Sequence, residues 1–282
     1  MQPVIILGAP RSGTNILRDS IANLSKIATW DCDEIPYIWR YGNKKYPTDL
    51  LTSEMANTKI KNYIRNEFEK ISLKYKKDYI LEKTCANTLR VNFVNKIFPE
   101  AKFINIIRNG LDVTHSIITR WESKFSLSYT LKKLKYVPKV DIPYYGIQFL
   151  KNRVYKKVNN NRLKLWGPIF LKEEELKNLT LEEIASLQWV SCVQNAKDAL
   201  NNIKEEKIFN IKYEDFVVAP HKSIKNLSEF IGITYNDSLL PSISKSNIGK
   251  GLKSLSFNQK KIILPLIINT MNENNYPCSL KD

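Results

Sequence analysis

Histidine and cysteine are scarce in this chain, which narrows the chemistry open to it. Among 282 residues there are 2 His and 4 Cys, and no Cys-x-x-Cys pair occurs. Zinc ribbons need closely spaced thiolates, and disulfide-stapled secreted domains need a denser cysteine framework. The composition therefore predicts a reducing compartment, no metal site, and chemistry based on carboxylates, lysines, arginines and hydroxyls.

Long apolar runs are also missing. The longest, Ile262–Ile268, is interrupted by Pro265, whereas a membrane-spanning helix needs about 20 apolar residues. The opening residues, Met-Gln-Pro-Val-Ile-Ile-Leu-Gly, lack the basic region of a secretory signal. We therefore expect a cytoplasmic protein with no membrane span.

Positive charge is abundant. The 44 Lys and Arg residues outnumber the 28 Asp and Glu residues, giving a formal net charge of +16. Such a surplus is typical of proteins that bind nucleic acid, a membrane surface, or a phosphorylated or sulfated ligand, but a solvated basic surface explains it equally well. The hydrophobic share of 43% indicates a globular chain, and its length suits one large α/β domain, residues 1–282.

Short apolar runs alternate with segments of helical periodicity. Thr180 and Glu183 have the spacing of a capping box, ahead of a helical stripe that continues to Ile203. Alternating strands and helices predict a P-loop-type α/β fold, in which helices cover both faces of a parallel sheet. The predicted strands are Val4–Leu7, Tyr79–Leu81, Lys102–Ile107 and Ile208–Tyr213.

Residues 120–171 break this alternation. The segment is rich in lysine, aromatic residues and proline, and its only acids are Glu122 and Asp141. We interpret it as a helical or irregular basic insertion and as a candidate lid over an acceptor. Its aromatic side chains, which could stack on sugars, are Trp121, Tyr129, Tyr136, Tyr144, Tyr145, Tyr155 and Trp166.

The first strand is followed by a phosphate-loop pattern. Gly8–Asn15 reads Gly-Ala-Pro-Arg-Ser-Gly-Thr-Asn, so two glycines frame four residues between strand and helix. Backbone N–H groups and the helix N-terminus favour an anion there. The lysine of a Walker A loop is missing, since Thr14 follows Gly13. A ligand without a γ-phosphate needs no such lysine, and the Arg11 guanidinium suits phosphate or sulfate oxygens.

A second anion signal follows the third strand. Arg108 ends that strand, and Ser116 lies about two helical turns further on. Because the carboxyl ends of parallel strands share one edge of the sheet, both motifs are expected there. Two neighbouring anion sites suggest a nucleotide that is phosphorylated at two positions.

These motifs resemble the sulfotransferase family, whose donor is 3′-phosphoadenosine 5′-phosphosulfate (PAPS). The resemblance rests on the phosphate loop and on Lys-Phe-Ile-Asn-Ile-Ile-Arg-Asn-Gly-Leu-Asp-Val-Thr-His-Ser, and it extends over nearly the whole chain. It implies that the first motif holds the 5′-phosphosulfate and the second the 3′-phosphate. The donor residues implied are Arg11, Ser12, Gly13, Thr14, Asn15, Arg108, Ser116, Tyr213 and Lys250.

The resemblance also implies catalytic roles. Lys83 matches the family's lysine at the end of the second strand, and with Arg11 it is expected to stabilise charge on the leaving oxygen. The histidine base of many relatives is replaced by Cys85. Other relatives use a Glu after the first helix, so we expect Glu34 to be the base, with Asp33 as the second choice.

The acceptor and two other functions stay open at this stage. A carbohydrate hydroxyl is favoured by the aromatic insertion and by Leu165-Trp-Gly-Pro168, which resembles glycan-modifying relatives; tyrosine or a small phenol is the alternative acceptor. A P-loop kinase or NTPase shares the fold logic but would need the Walker lysine. A nucleic-acid-binding module would explain the charge, but no known binding signature is present, so we expect no nucleic acid partner.

Overall fold

A parallel sheet lies at the centre of the fold. The computed structural model describes residues 1–122, 133, 135–158, 166–235, 240–241 and 243–276. The sheet has the order β2-β3-β1-β4-β5, with every neighbouring pair parallel, which confirms the predicted α/β class. The strands are β1 Gln2–Leu7, β2 Ile27–Ala28, β3 Tyr79–Lys83, β4 Lys102–Ile107 and β5 Ile208–Lys212.

Helices connect the strands and cover the sheet. Side-chain oxygens of Thr180 and Ser256 cap two of the longest helices, as the predicted capping box at Thr180 requires. The helices are α1 Thr14–Ala22, α2 Pro36–Trp39, α3 Thr58–Tyr75, α4 Val91–Ile97, α5 Gly110–Glu122, α6 Ile142–Val158, α7 Glu173–Leu176, α8 Leu181–Leu200, α9 Tyr213–Val218, α10 Pro220–Ile231, α11 Lys250–Ser254 and α12 Phe257–Glu273.

The two faces of the sheet pack into two different hydrophobic clusters. Side chains alternate along a strand, so Ile5 and Leu7 of β1 pack with α3 and α4. Val4 and Ile6 point the other way and pack with α1 and α10. Helices α5, α8 and α12 form a third apolar cluster beside the sheet. The alternation in β1 thus explains why both faces are covered.

Some predicted boundaries are wrong. Tyr213 was expected to end the last strand, but it begins α9, because pairing with β4 stops at Ile107 opposite Lys212. Helix α8 ends at Leu200, short of Ile203. The strand β2 was not predicted from the sequence, because two residues are too few to show a periodicity.

The apolar run 262–268 lies within α12, which contains Pro265. Its Ile263 and Ile267 are fully buried against the cluster that includes Trp189 of α8. No helix within the described ranges is long and apolar enough to cross a membrane.

The register of β1 aligns three strand ends. Ile6 lies opposite Lys83 of β3, and Leu7 lies opposite Asn105 of β4. The residues that follow, the phosphate loop after β1, Thr84 after β3 and Arg108 after β4, therefore emerge at the same edge.

Two helical glycines provide a matched test of packing at this edge. A Cβ at Gly251 would lie 2.2 Å from the backbone oxygen of Leu111, whereas a Cβ at Gly146 would meet nothing within 4 Å. We expect Gly251→Ala to lower the free energy of unfolding by about 1–3 kcal/mol through overpacking. Gly146→Ala is expected to raise it by up to about 1 kcal/mol through helix propensity. Denaturant unfolding of both variants measures this, and equal effects would contradict it.

Candidate active site

The phosphate loop is shaped by left-handed backbone at two residues. Gly13 caps α1 with φ of 87°, and Arg11 has φ of 70° despite its side chain. A Cβ at Gly13 would lie 2.3 Å from the Tyr213 ring, so only glycine fits. The loop therefore passes close under an aromatic side chain in a backbone conformation that favours glycine.

Ser12 supports an anion site at this loop. The residue is 1% exposed, and its Oγ has no hydrogen-bond partner among the described residues. Buried hydroxyls are nearly always paired. A phosphate or sulfate oxygen at the α1 N-terminus would satisfy Ser12, so the residues present fit the expected donor.

Arg108 and Arg11 bring the two predicted anion sites together. Arg108 Nη1 donates to the backbone oxygen of Arg11 at 3.0 Å, and Arg11 Nε donates to Ser116 Oγ at 2.9 Å. The Arg11 side chain thus lies on α5, at the second motif. Arg108 Nε is buried with no hydrogen-bond partner in the described part of the chain, which suits an anion as well.

Asp112 organises the same region, and the sequence reasoning missed it. Its carboxylate accepts from the N–H of Gly249 at 2.9 Å and of Gly251 at 2.6 Å, and it pairs with Arg108 at 3.4 Å. Lys250, between those glycines, is exposed beside α5. The i,i+4 spacing of Arg108 and Asp112 was the available signal.

The remaining donor candidates lie around the loop. Tyr213 is buried, and the Arg108 guanidinium lies 4.3 Å from its ring centroid. Thr14 is buried at the start of α1, and Asn15 is exposed. Thr14 Oγ1 lies 3.7 Å from Cys85 Sγ, so the phosphate loop contacts the end of β3 directly.

A cluster of acids and lysines lies at that end of β3. Glu34 Oε1 accepts from Lys83 Nζ at 3.0 Å and from the Cys85 N–H at 3.3 Å. Glu34 Oε2 lies 3.4 Å from Lys133 Nζ, and Asp33 contacts both lysines. The Lys83 side chain is 2% exposed and that of Glu34 22% exposed. Two of the three predicted catalytic residues, Glu34 and Lys83, therefore form one ion pair that solvent can reach from the Glu34 side.

The charges of this cluster control its ionisation. Burial acts to raise the pKa of the Glu34 carboxyl, but Lys83 and Lys133 outweigh it and hold that pKa well below its usual range. Burial likewise acts to lower the pKa of Lys83, and Glu34 reverses the shift, so the pKa is raised. Burial raises the pKa of the Cys85 thiol, which stays protonated at neutral pH. The cluster is thus an ionised carboxylate between two ammonium groups.

Asp31 is separate from this cluster. It accepts from Tyr75 Oη at 2.6 Å and from Lys135 Nζ at 2.9 Å, and these bonds lower its pKa to about 2. Asp31 therefore anchors residues 135–136 of the insertion at the surface.

The insertion contributes to the site through Lys133 and α6, and Lys133 was also missed. Tyr145 of α6 packs edge-on against Tyr37 at 4.5 Å between centroids, and Tyr144 is 5.2 Å from Tyr145. Of the other candidate platforms, Trp121 is buried in the third cluster and offers no open face. Tyr129, Leu165 and the side chain of Tyr155 lie outside the described residues.

Within the described ranges, no group of three or more His, Cys, Asp and Glu side chains is placed to hold a metal ion.

A parallel sheet with two candidate anion sites at its carboxyl edge is the arrangement expected of a nucleotide-binding α/β protein. The model of the family described as "Sulfotransferase domain" matches residues 1–275, and the chain belongs to this family. The resemblance found in the sequence is thereby confirmed. The kinase or NTPase interpretation is not favoured.

Similar proteins carry the same family name. Protein-tyrosine sulfotransferase 1 of Danio rerio is 23% identical over 291 residues, which cover 97% of this chain. The chain spans 65% of the length of that relative.

Solved structures share the fold. A sulfotransferase domain from the curacin biosynthetic pathway has a TM-score of 0.59 at 14% identity, covering 98% of both chains. One from the Synechococcus PCC 7002 olefin synthase scores 0.60 at 14% identity, over 99% of this chain and 96% of that one. A mouse sulfotransferase solved as a complex with PAP scores 0.51 at 15% identity, over 97% and 86%.

Lys133→Met tests the electrostatics of the acidic cluster. The substitution removes one positive charge facing Glu34, so the pKa of Glu34 should rise toward the usual range. A depressed carboxyl pKa adds stability above pH about 4.5 that is lost on acidification. The free energy of unfolding that is lost on acidification below about pH 4.5 should therefore be smaller in total, and the loss should level off at a higher pH, in Lys133→Met than in wild type.

Carbon NMR titration of the labelled Glu34 carboxyl measures the shift directly. Lys135→Met, which removes a lysine paired with Asp31 instead, is the control and should leave Glu34 unchanged. An unchanged Glu34 titration in Lys133→Met would contradict the assignment.

Proposed function

We propose that the protein is a sulfotransferase that moves a sulfuryl group from PAPS to the hydroxyl of an acceptor, with a carbohydrate as that acceptor. The observation that carries the proposal is the edge of the sheet where the residues of the two candidate anion sites lie beside the Glu34–Lys83 pair. A donor that carries a 3′-phosphate and a 5′-phosphosulfate, with an acceptor hydroxyl facing the sulfuryl group, would need this set of groups.

The donor contacts follow from the local chemistry. The N–H groups of the phosphate loop, the Ser12 hydroxyl and Thr14 would bind the 5′-phosphosulfate at the α1 N-terminus. Arg108, Ser116 and Lys250 would bind the 3′-phosphate. Arg11 bridges the two groups, since its backbone belongs to the first and its side chain to the second.

Proton removal and charge stabilisation fall to the acidic cluster. PAPS supplies a sulfuryl group and leaves as PAP when the new S–O bond forms and the bridging S–O bond breaks. Glu34 takes the proton of the acceptor hydroxyl, and Lys83 stabilises negative charge on the departing oxygen. Lys83 and Lys133 keep the Glu34 carboxylate ionised at neutral pH, so it holds no proton of its own when the acceptor hydroxyl binds.

The acceptor side is formed by the insertion, residues 120–171, which we propose as its lid. Tyr37 and Tyr145 supply aromatic surface, and Tyr145 Oη is buried with no hydrogen-bond partner in the described residues. Stacking surface next to unsatisfied polar groups is suited to a sugar ring. We also propose a cytoplasmic location, on the composition alone.

Tyrosine is the second candidate acceptor. It is favoured by the similarity to protein-tyrosine sulfotransferase 1 of Danio rerio. A peptide tyrosine would use the same base and the same donor site.

Donor binding is tested by thermal shift with PAP. We expect PAP to raise the melting temperature of the wild type by ligand linkage. Arg108→Gln should weaken PAP binding roughly 10- to 100-fold, because a charge-assisted hydrogen bond is worth about 1.5–3 kcal/mol. Arg65→Gln, at a surface pair on α3, is the control, and the absence of any PAP shift in the wild type would refute the donor assignment.

The base is tested by Glu34→Gln. We expect kcat to fall by about 10²- to 10⁴-fold, the usual contribution of general base catalysis, with PAP affinity unchanged. Glu67→Gln, which alters a surface acid paired with Lys70 on α3, should behave as wild type. The assay is transfer of labelled sulfate to neutral and acidic disaccharides, a tyrosine peptide and 2-naphthol. Preference for the peptide would replace the carbohydrate assignment, and a full rate in Glu34→Gln would exclude Glu34 as base.

A further inference from the structure

Three consecutive residues at the end of β3 reach the loop that carries Glu34. Lys83 Nζ and the Cys85 N–H both donate to the Glu34 carboxylate. Thr84, between them, acts on the backbone instead, since its Oγ1 accepts from the Ile35 N–H at 3.1 Å. Side chain and main chain of the Glu34 loop are therefore held by the same short segment.

The hydroxyl of Thr84 has a defined polarity. Because its oxygen accepts from Ile35, its own proton is free to be donated, and it is donated to Glu82 Oε1. Asn87 Nδ2 donates to the other Glu82 oxygen at 2.8 Å. Both donors require an acceptor at Glu82, which a carboxylate supplies on both oxygens.

This hydrogen-bond network is buried. Glu82 and Thr84 are each 1% exposed and Asn87 is fully buried. The proposed chemistry uses none of the three. A buried carboxylate is costly unless its hydrogen-bond partners are in place. One hydrogen bond of this network reaches beyond residues 82–87, from the Ile35 N–H, next to Glu34, to Thr84 Oγ1.

We propose that Thr84 and Glu82 are positioning residues for the base: Glu82 orients the Thr84 hydroxyl, and Thr84 holds the Ile35 N–H so that the Glu34 carboxylate stays against Lys83. The inference rests on the proposed function, in which Glu34 takes the acceptor proton. A base displaced by about 1 Å can lose on the order of 100-fold in rate.

The chain offers a matched control. Thr88 is another buried threonine in the same segment, but its Oγ1 donates to the Cys85 carbonyl at 2.7 Å and, among the described residues, makes no hydrogen bond to the Glu34 loop. Thr84→Val and Thr88→Val make the same chemical change at two neighbouring buried positions. Thr84→Ser keeps the hydroxyl, and Glu82→Gln tests the second member of the pair without altering Thr84.

The experiment is a kinetic cycle with Glu34→Gln. We expect Thr84→Val to lower kcat about 10- to 100-fold with unchanged PAP affinity, Thr84→Ser to restore it to within about threefold, and Thr88→Val to stay within about threefold of wild type. In the Glu34→Gln background, Thr84→Val should change kcat less than about twofold, because the base it positions is gone. Glu82→Gln should lower kcat in the same direction, and it decides the matter if Thr84→Val does not fold.

Three results would overturn the inference: an unchanged kcat in Thr84→Val, an equal loss in Thr88→Val, or the same loss on top of Glu34→Gln. The rate is measured with the fastest acceptor among the disaccharides, the tyrosine peptide and 2-naphthol, or as sulfate release to water if none reacts. A wild type that neither binds PAP nor releases sulfate overturns the proposed function and the inference with it. A wild type that is active, whose kcat falls in Glu34→Gln but not in Thr84→Val, overturns the inference alone.

Discussion

The site depends on the position of one strand. β1 lies at the centre of the sheet and pairs in parallel with β3 on one side and β4 on the other. Parallel pairing in these registers brings three chain ends to one edge. Each end then makes a different kind of group available: backbone N–H groups after β1, an ammonium at the end of β3 and a guanidinium after β4. A slip of one residue in either pairing would turn one of these groups to the opposite face.

The sequence predicts this edge well because its signals are local. The strand Lys102–Ile107 and the capped start of α8 agree with the structure residue by residue, and Glu34 and Lys83, both chosen as catalytic, are in contact. The site contacts that the sequence did not predict join residues far apart along the chain. Lys133 meets Glu34 across 99 residues, from a segment without periodicity.

Arg11 illustrates a different limit. A loop motif indicates which backbone binds an anion, but not where a long side chain goes, and the Arg11 guanidinium bonds to Ser116 on α5. The hydrogen bond from the Ile35 N–H to Thr84 could not be predicted from the sequence either, because it joins the end of a strand to an irregular loop.

Local charge at the site differs from that of the chain as a whole. The net charge is +16, yet Asp33 and Glu34 balance Lys83 and Lys133, so the four formal charges cancel. Arg11, Arg108 and Lys250 lie on the other side of this edge, where Asp112 offsets one of their three positive charges. An anionic donor would be drawn to that side, and the proposed base would lie in a neutral environment that admits an uncharged hydroxyl.

The contacts of Asp112 can form only late in the synthesis of the chain. Its side chain is 1% exposed, and its amide partners at Gly249 and Gly251 lie 137 and 139 residues further along the chain. A growing polypeptide that has not yet reached those glycines holds Arg108 and Asp112 without the loop that covers them. Residues 1–122 contain four of the five strands of the sheet, but the contacts that Asp112 makes with the segment around residue 250 can form only after that segment has been synthesised. The proposed anion site would therefore be completed late, after most of the sheet-forming sequence has been made.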